Sequence, residues 1–145
     1  MAVDVEYYVT GLRELRSALR KVDPALGPVL TRRLKVAGER VVQDARANVR
    51  RDVSSRSKGR AAASIRTTSS GGKVFINGGK RSLPYYGWLD FGGVLQPKGR
   101  RKNRQHRPVL KKGRYIYPAI DANQLRILAA VTDAVDDTMR DAGFR

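Results

Sequence analysis

Residues 92–114, GGVLQPKGRRKNRQHRPVLKKGR, hold nine cations and no acid. These are Lys98, Arg100, Arg101, Lys102, Arg104, Arg107, Lys111, Lys112 and Arg114. Guanidinium and ammonium groups at this density suit neutralisation of phosphates or of an acidic protein surface. If about six of them met duplex DNA phosphates, log K would fall with log salt at a slope of about −5. No aromatic side chain interleaves the run, as stacking on unpaired bases would require. A nucleic-acid contact here is therefore expected to reach the backbone and carry little sequence information. A second concentration precedes it: Tyr85, Tyr86, Trp88 and Phe91 place four of the ten aromatic residues in seven positions. Strand alternation assigns two of the four to a core and leaves two outside, where aromatic rings favour protein interfaces.

Other chemistry finds little to work with. The single His106 lies between Gln105 and Arg107, with no acid beside it to orient an imidazole, and reads as an exposed side chain. Gly79-Lys80 resembles the end of a phosphate loop, but Arg81 stands where Ser or Thr is needed and Val74 where Gly is needed. Asp133, Asp136 and Asp137 lack the loop spacing of a calcium site and read as a solvated helix face. Without Cys there is no thiol nucleophile, disulfide scaffold or Cys-based metal site. Neither an enzyme nor a cofactor is expected.

The elements that must position these residues belong to a chain of 145 residues, a length that suits one domain over 1–145. Its 30 Lys and Arg against 13 Asp and Glu give a formal charge of +17. That excess is local. Residues 1–45 carry net +2 and residues 115–145 net −2, whereas residues 46–114 set nineteen basic residues against only Asp52 and Asp90. Charge spread for solubility would be more even; a local excess points to an acidic partner. The apolar run Ile127–Val131 is far short of the ~20 residues of a membrane span, so no membrane partner is expected. The opening MAVDVEYYV shows no signal-peptide pattern, and a cytoplasm-like, reducing setting is the expectation.

Leu12, Leu15, Leu19 and Val22 form a short helical stripe, with Thr10 as its cap, and Asp23-Pro24 reads as a stop followed by a new start. From about Pro28 to Arg51, Leu30, Leu34, Ala37, Val41, Ala45 and Val49 step by three or four, predicting one long helix. Residues 52–63, DVSSRSKGRAAA, hold no large apolar side chain after Val53 and read as a flexible linker. SIRTTS and KVFIN around Ser70-Gly71-Gly72 predict a hairpin. Residues 85–91 and the text from Tyr115 to Pro118 read as further strands, and residues 92–114 as an extended basic arm or loop. Leu125, Leu128, Thr132, Val135 and Met139 mark a C-terminal helix, with Asp121 as candidate cap and Gly143 as its stop. The sum is an α+β fold: a short and a long helix, a small mostly antiparallel sheet, a long basic loop and a C-terminal helix.

The ordered set of motifs resembles the tail-component family of long-tailed bacteriophages typified by gene product ten of HK-ninety-seven-type phages, also described as head–tail joining or tail-completion proteins. Its opening Gly-Leu-x-x-Leu helix is matched by Gly11, Leu12 and Leu15, and its long Ala- and Arg-rich helix by residues 29–51. For its Gly-x-Leu-x-x-Ser-Ile element the chain offers Gly59 to Ile65, shifted by a residue and lacking the Leu. The signature Tyr-Ala-x-x-x-Glu-Phe-Gly-Thr is met by Tyr86-Gly87-Trp88-Leu89-Asp90-Phe91-Gly92-Gly93, with Gly for Ala, Asp for Glu, Gly for Thr and one residue fewer between. An aromatic-x-x-Pro-Ala element is matched by Tyr115 to Ala119.

The resemblance implies a structural protein of the virion neck or tail, made in the host cytoplasm and acting as a homo-oligomeric, hexameric ring. Its partners would be the head connector or stopper and the tail tube. Tyr86, Trp88, Asp90, Phe91, Gly92, Tyr117 and Pro118 would then be signature or subunit-interface residues, and the nine arm cations contacts to a partner protein or to genomic DNA. A tail terminator capping the tube is the close alternative, and a basic nucleic-acid-binding protein the one from another class.

Overall fold

A single helix, α2 (Leu26–Asp52, 27 residues), is about 40 Å long and spans both parts of the core. Its stripe is close to the expected one: Leu30, Leu34, Val41, Ala45 and Val49 are buried and Ala37 half-buried, while Arg32, Arg40 and Arg50 are exposed. In this computed structural model residues 3–5, 12–52, 58–95 and 104–144 are described. Thr10 and the Lys98–Lys102 part of the basic arm fall outside them.

Helix α1 (Leu12–Val22) precedes α2 and meets it at the Asp23-Pro24 junction. There the Ala25 N–H donates to Asp23 Oδ1 at 2.9 Å and the Asp23 N–H closes α1 on Leu19 O at 2.9 Å. Leu19 joins Leu26, Leu30, Leu34 and Ala134 in one cluster; Val22, expected on the same stripe, is exposed. The other cluster packs Val41, Val42, Ala45 and Val49 against buried side chains from three later segments, 61–65, 86–89 and 115–120.

The first of these segments corrects an expectation. Residues 58–63 of the presumed linker form, with Ser64, helix α3 (Lys58–Ser64), in which Ala61, Ala62 and Ser64 are buried; residues 53–57 of that linker lie outside the described residues. Large apolar side chains are not needed here, because alanine lets a short helix lie directly against α2. The Ser64 hydroxyl accepts the Gly79 N–H at 3.0 Å, and Arg46 of α2 donates through Nε and Nη2 to Ile65 O at 3.1 and 2.7 Å.

The hairpin is present as read: β2 (Arg66–Ser70) and β3 (Lys73–Gly78) pair antiparallel, Ser70 opposite Lys73. The two-residue turn runs through Gly71 and Gly72 at φ 57° and 79°, which glycine adopts without Cβ strain. Strand β1 (Val3–Val5) pairs with the other edge of β3, giving the order β1-β3-β2. A second antiparallel pair, β4 (Gly93–Leu95) and β5 (Gln105–Arg107), gives residues 92–95 and 104–107 of the basic arm a fixed place.

Two segments expected as strands are helices: α4 (Tyr86–Phe91) and α5 (Ile116–Ala122). In α4 the buried residues are Tyr86, Leu89 and Asp90, at helical spacing, so packing overrides the strand preference of the aromatics. In α5, Pro118 stands in the first turn, where its missing N–H has no intrahelical partner to lose. Helix α6 (Gln124–Asp141) follows after Asn123, so Asp121 lies inside α5 and is not its cap. Its inward face is also turned from the expected one. Ala134 and Thr138 are buried with Ile127, Val131, Val135 and Met139 packed beside them, while Leu125 and Leu128 are exposed. Asn123 reaches Asp44 at 2.8 Å and Arg33 reaches Asp141 at 2.6 Å, which sets α6 antiparallel to α2. Gly143 ends the helix as expected: its N–H donates to Arg140 O, and that of Phe144 to Met139 O, both at 3.0 Å. The architecture is α+β.

Glycines report how tightly α4 is seated. A Cβ at Gly78 would stand 2.3 Å from the Tyr86 ring, whereas one at Gly87 would meet nothing within 4 Å. Gly78→Ala should destabilise the fold by about 1–3 kcal/mol. Gly87→Ala, inside a helix, should stabilise it by about 0.5–1 kcal/mol. Denaturant midpoints of the two variants, compared with the parent, check both signs.

Candidate functional site

The signature residues converge on one buried carboxylate. On a single turn of helix, Tyr86 and Asp90 stand four residues apart and share the inward face of α4. Asp90 is fully buried. Its Oδ1 accepts the Arg114 N–H at 2.7 Å and the Tyr115 N–H at 3.1 Å, and the Tyr86 hydroxyl lies 3.3 Å from Oδ2. These two backbone donors stand at the entry to α5, where a helix has unsatisfied N–H groups and favours negative charge. The side chain of α4 thus serves the start of a helix 25 residues further along the chain.

The surrounding chain is shaped to let the carboxylate in. Gly113, at φ 70°, approaches so closely that a Cβ there would lie 2.4 Å from Asp90 Oδ1. At Gly92 a Cβ would lie 2.0 Å from Pro108 O. Arg114 donates through Nη1 to the main-chain O of Asp90 at 3.0 Å and through Nη2 to Pro108 O. Burial raises the Asp90 pKa, opposed by the Arg114 and Tyr115 N–H groups, the Tyr86 hydroxyl and the Arg114 charge. Burial, and then the neighbouring Asp90 carboxylate, pushes the Tyr86 hydroxyl well above the ordinary phenol range. The two rings of Tyr86 and Tyr115 meet at 6.4 Å and a tilt of 58°.

A second carboxylate repeats the arrangement at the other end of Tyr115. Its hydroxyl donates to Asp52 Oδ2 at 2.7 Å and accepts from Arg107 Nη2 at 3.1 Å. Arg107 also pairs directly with Asp52 and stacks over the Trp88 ring, 5.8 Å from its centre. Trp88 Nε1 donates to Gly93 O at 3.1 Å, and Asn48 Nδ2 to Tyr115 O at 3.1 Å. Burial and the hydrogen bond to Asp52 push the Tyr115 hydroxyl up as well.

The residues singled out in the sequence therefore separate into two sets. Tyr86 and Asp90 are interior and turned to each other, which corrects their assignment to a subunit interface. Trp88, Phe91, Gly92 and Tyr117 are half-buried and Pro118 is exposed. Of the arm cations, Arg107 and Arg114 bind the chain's own carboxylates and carbonyls, so they serve the fold. Arg104, Lys111 and Lys112 are exposed, with Lys112 only 3.8 Å from Asp121 at the surface. Lys98, Arg100, Arg101 and Lys102 lie outside the described residues. His106 is exposed on β5, and Asp133, Asp136 and Asp137 are exposed on α6.

Sequence reasoning passed over Asp52, Asn48 and Gly113. A signal for one of them was present. Asp52 and Asp90 are the only two acids among the nineteen cations of residues 46–114, and each proves to be an internal partner of an arm arginine. Among the described residues no group of three His, Asp or Glu is placed to hold a metal ion. The arrangement's hydrogen bonds are spent within the chain: it locks α4, α5, the end of α2 and the β4–β5 pair together.

Removing the carboxylate should be costly. Asp90→Ala leaves the buried Tyr115 N–H and the part-buried Arg114 N–H unpaired and should lose about 1–3 kcal/mol for the first and less for the second. Asp90→Asn keeps an oxygen for both and should lose much less. The folded state holds the Asp90 proton more tightly than the unfolded chain does, so protonation favours folding. That contribution is complete below the ordinary value of 3.8 and disappears as pH rises through the raised folded value. Wild-type stability measured against Asp90→Asn should therefore fall with rising pH across this window; a flat difference would contradict the assignment. No protein-family model, curated protein or solved structure matches this chain.

Proposed function

We propose that this chain is a non-enzymatic structural protein of the phage neck, a ring-forming head–tail joining or tail-completion subunit between the tail tube and the head connector. One observation carries the reading. The most specific element of the resemblance, Tyr86–Gly93, meets the Tyr115–Ala119 element at Asp90, where its buried carboxylate accepts the Tyr115 N–H and the adjoining Arg114 N–H. Residues used this way specify a scaffold, which a ring subunit needs and a catalyst could not spare from its site.

The surface beside this scaffold suits a protein partner. Exposed Val94, Val109 and Leu110 stand in the same basic segment as exposed Arg104, Lys111 and Lys112. Apolar side chains mixed with cations fit an acidic, partly apolar protein face better than a row of phosphates. A conduit through which DNA slides also gains nothing from gripping it, since each phosphate contact adds to the salt-dependent affinity. Contact with genomic DNA takes second place. A ring presents two different faces to its neighbours, and closure follows from their rotation.

Solution mass at moderate salt should show a closed ring of hexameric size, alone or on tail tubes. A monomer that binds duplex DNA tightly, with a slope of about −5 in log K against log salt, would overturn the reading. Replacing Arg100, Arg101, Lys102 and Arg104 together with Ser should leave the melting transition in place and reduce head–tail joining. A normal yield of infectious particles from that variant would show the arm to be dispensable.

A further inference from the structure

The face of α2 opposite its buried Leu30–Leu34 stripe carries Pro28, Thr31, Arg32 and Lys35 at helical spacing. The β2–β3 turn stands over this face, and between them is a cleft of about 420 Å³. Ser69, Ser70, Gly71 and Gly72 form one wall, and Arg16 enters from α1. None of the described residues lining the cleft is acidic.

Arg16 is held in place for this position. Its Nη1 donates to Gly71 O at 3.1 Å, and its guanidinium occupies the space a side chain at residue 72 would fill: a Cβ there would lie 1.0 Å from Nη1. Its Nε is buried and has no acceptor among the described residues. An arginine fixed at one end, with an unpaired buried donor at the other, is pre-organised for an oxyanion.

We propose that this cleft binds a phosphate group carried by a larger ligand. The Thr31 hydroxyl already donates to Gly27 O at 3.1 Å, but three cations with Ser69 and Ser70 on the wall still offer more charge and more donors than a carboxylate, with one charge and two oxygens, can use. A phosphate monoester brings nearly two charges and three strong acceptor oxygens. The cleft is open to solvent, which leaves room for what bears the phosphate. The site lies on α1, α2 and the hairpin turn, away from the signature cluster, and does not rest on the neck assignment.

Titration of the full chain with inorganic phosphate, against chloride of equal ionic strength, reads the site directly by amide and arginine Nε–H resonances. Saturable shifts should appear at Arg16 Nε–H and at the Ser69–Gly72 amides. Arg32→Ser with Lys35→Ser, both off the core face, should weaken binding by roughly tenfold or more with an unchanged melting temperature. A short DNA duplex that moves the same resonances more tightly than phosphate would identify a nucleic-acid backbone as the source. Phosphate binding that the duplex does not displace would identify a small phosphorylated ligand. Either result supports a phosphate site. Shifts no larger than with chloride, equal shifts with acetate, or shifts confined to the arm cations would overturn it. Ring formation is read separately from solution mass, so neither result decides the other.

Discussion

A carboxylate taken fully out of water must find donors, and the position of Asp90 imposes that demand on the rest of the chain. Its acceptors are met by backbone N–H groups of Arg114 and Tyr115, which exist in the right place only when the chain turns at Gly113 and α5 begins. Once α5 is seated, Ile116, Ala119 and Ile120 complete the cluster against α2. Asp52 repeats the demand on Tyr115 and Arg107 from the C-terminal end of α2. Two acids thus tie together a helix, a helical turn, a strand pair and a second helical turn that are otherwise short pieces. Such a connection is costly to break, because removing one partner strands the others in the interior.

The same pair of acids alters the meaning of the chain's positive charge. Net +17, concentrated in residues 46–114, suggests a cationic surface there. Arg107 and Arg114 are instead drawn inward and spent on the fold, and Arg46 and Arg66 donate to main-chain carbonyls. Other cations are scattered over the surface, but two groups have distinct surroundings: the basic segment with its exposed Val94, Val109 and Leu110, and the Arg16–Arg32–Lys35 cleft. The first mixes cations with apolar side chains; the second combines cations with hydroxyls. Different partners are expected of them for that reason.

Long-period patterns were legible in the sequence, and short segments were not. The stripe from Leu30 to Val49 and the Gly71-Gly72 turn set α2 and the β2–β3 hairpin, because each is governed by its own periodicity or turn chemistry. Tyr85–Phe91 and Tyr115–Pro118 read as strands, since six or seven residues hold too little periodicity to outweigh aromatic β-propensity. Their helical form comes from tertiary contacts at Asp90, which no local pattern reports. Ala61 and Ala62 of α3 carry too little apolar surface for hydrophobicity to mark a buried helix there. On α6, Leu125 and Leu128 suggested a face that the hydrogen bond from Arg33 to Thr138 and the burial of Ala134 turn away.

A scaffold held at Asp90 accounts for why Tyr86, Leu89, Tyr115, Ile116 and Ala119 sit inside the molecule. Native-state hydrogen exchange at the Arg114 and Tyr115 amides tests this most directly. Both should exchange only through global unfolding, at the same free energy as the interior amides of α2 around Val42 and Ala45. Exchange at the rate of an exposed turn, with α2 still protected, would contradict the account.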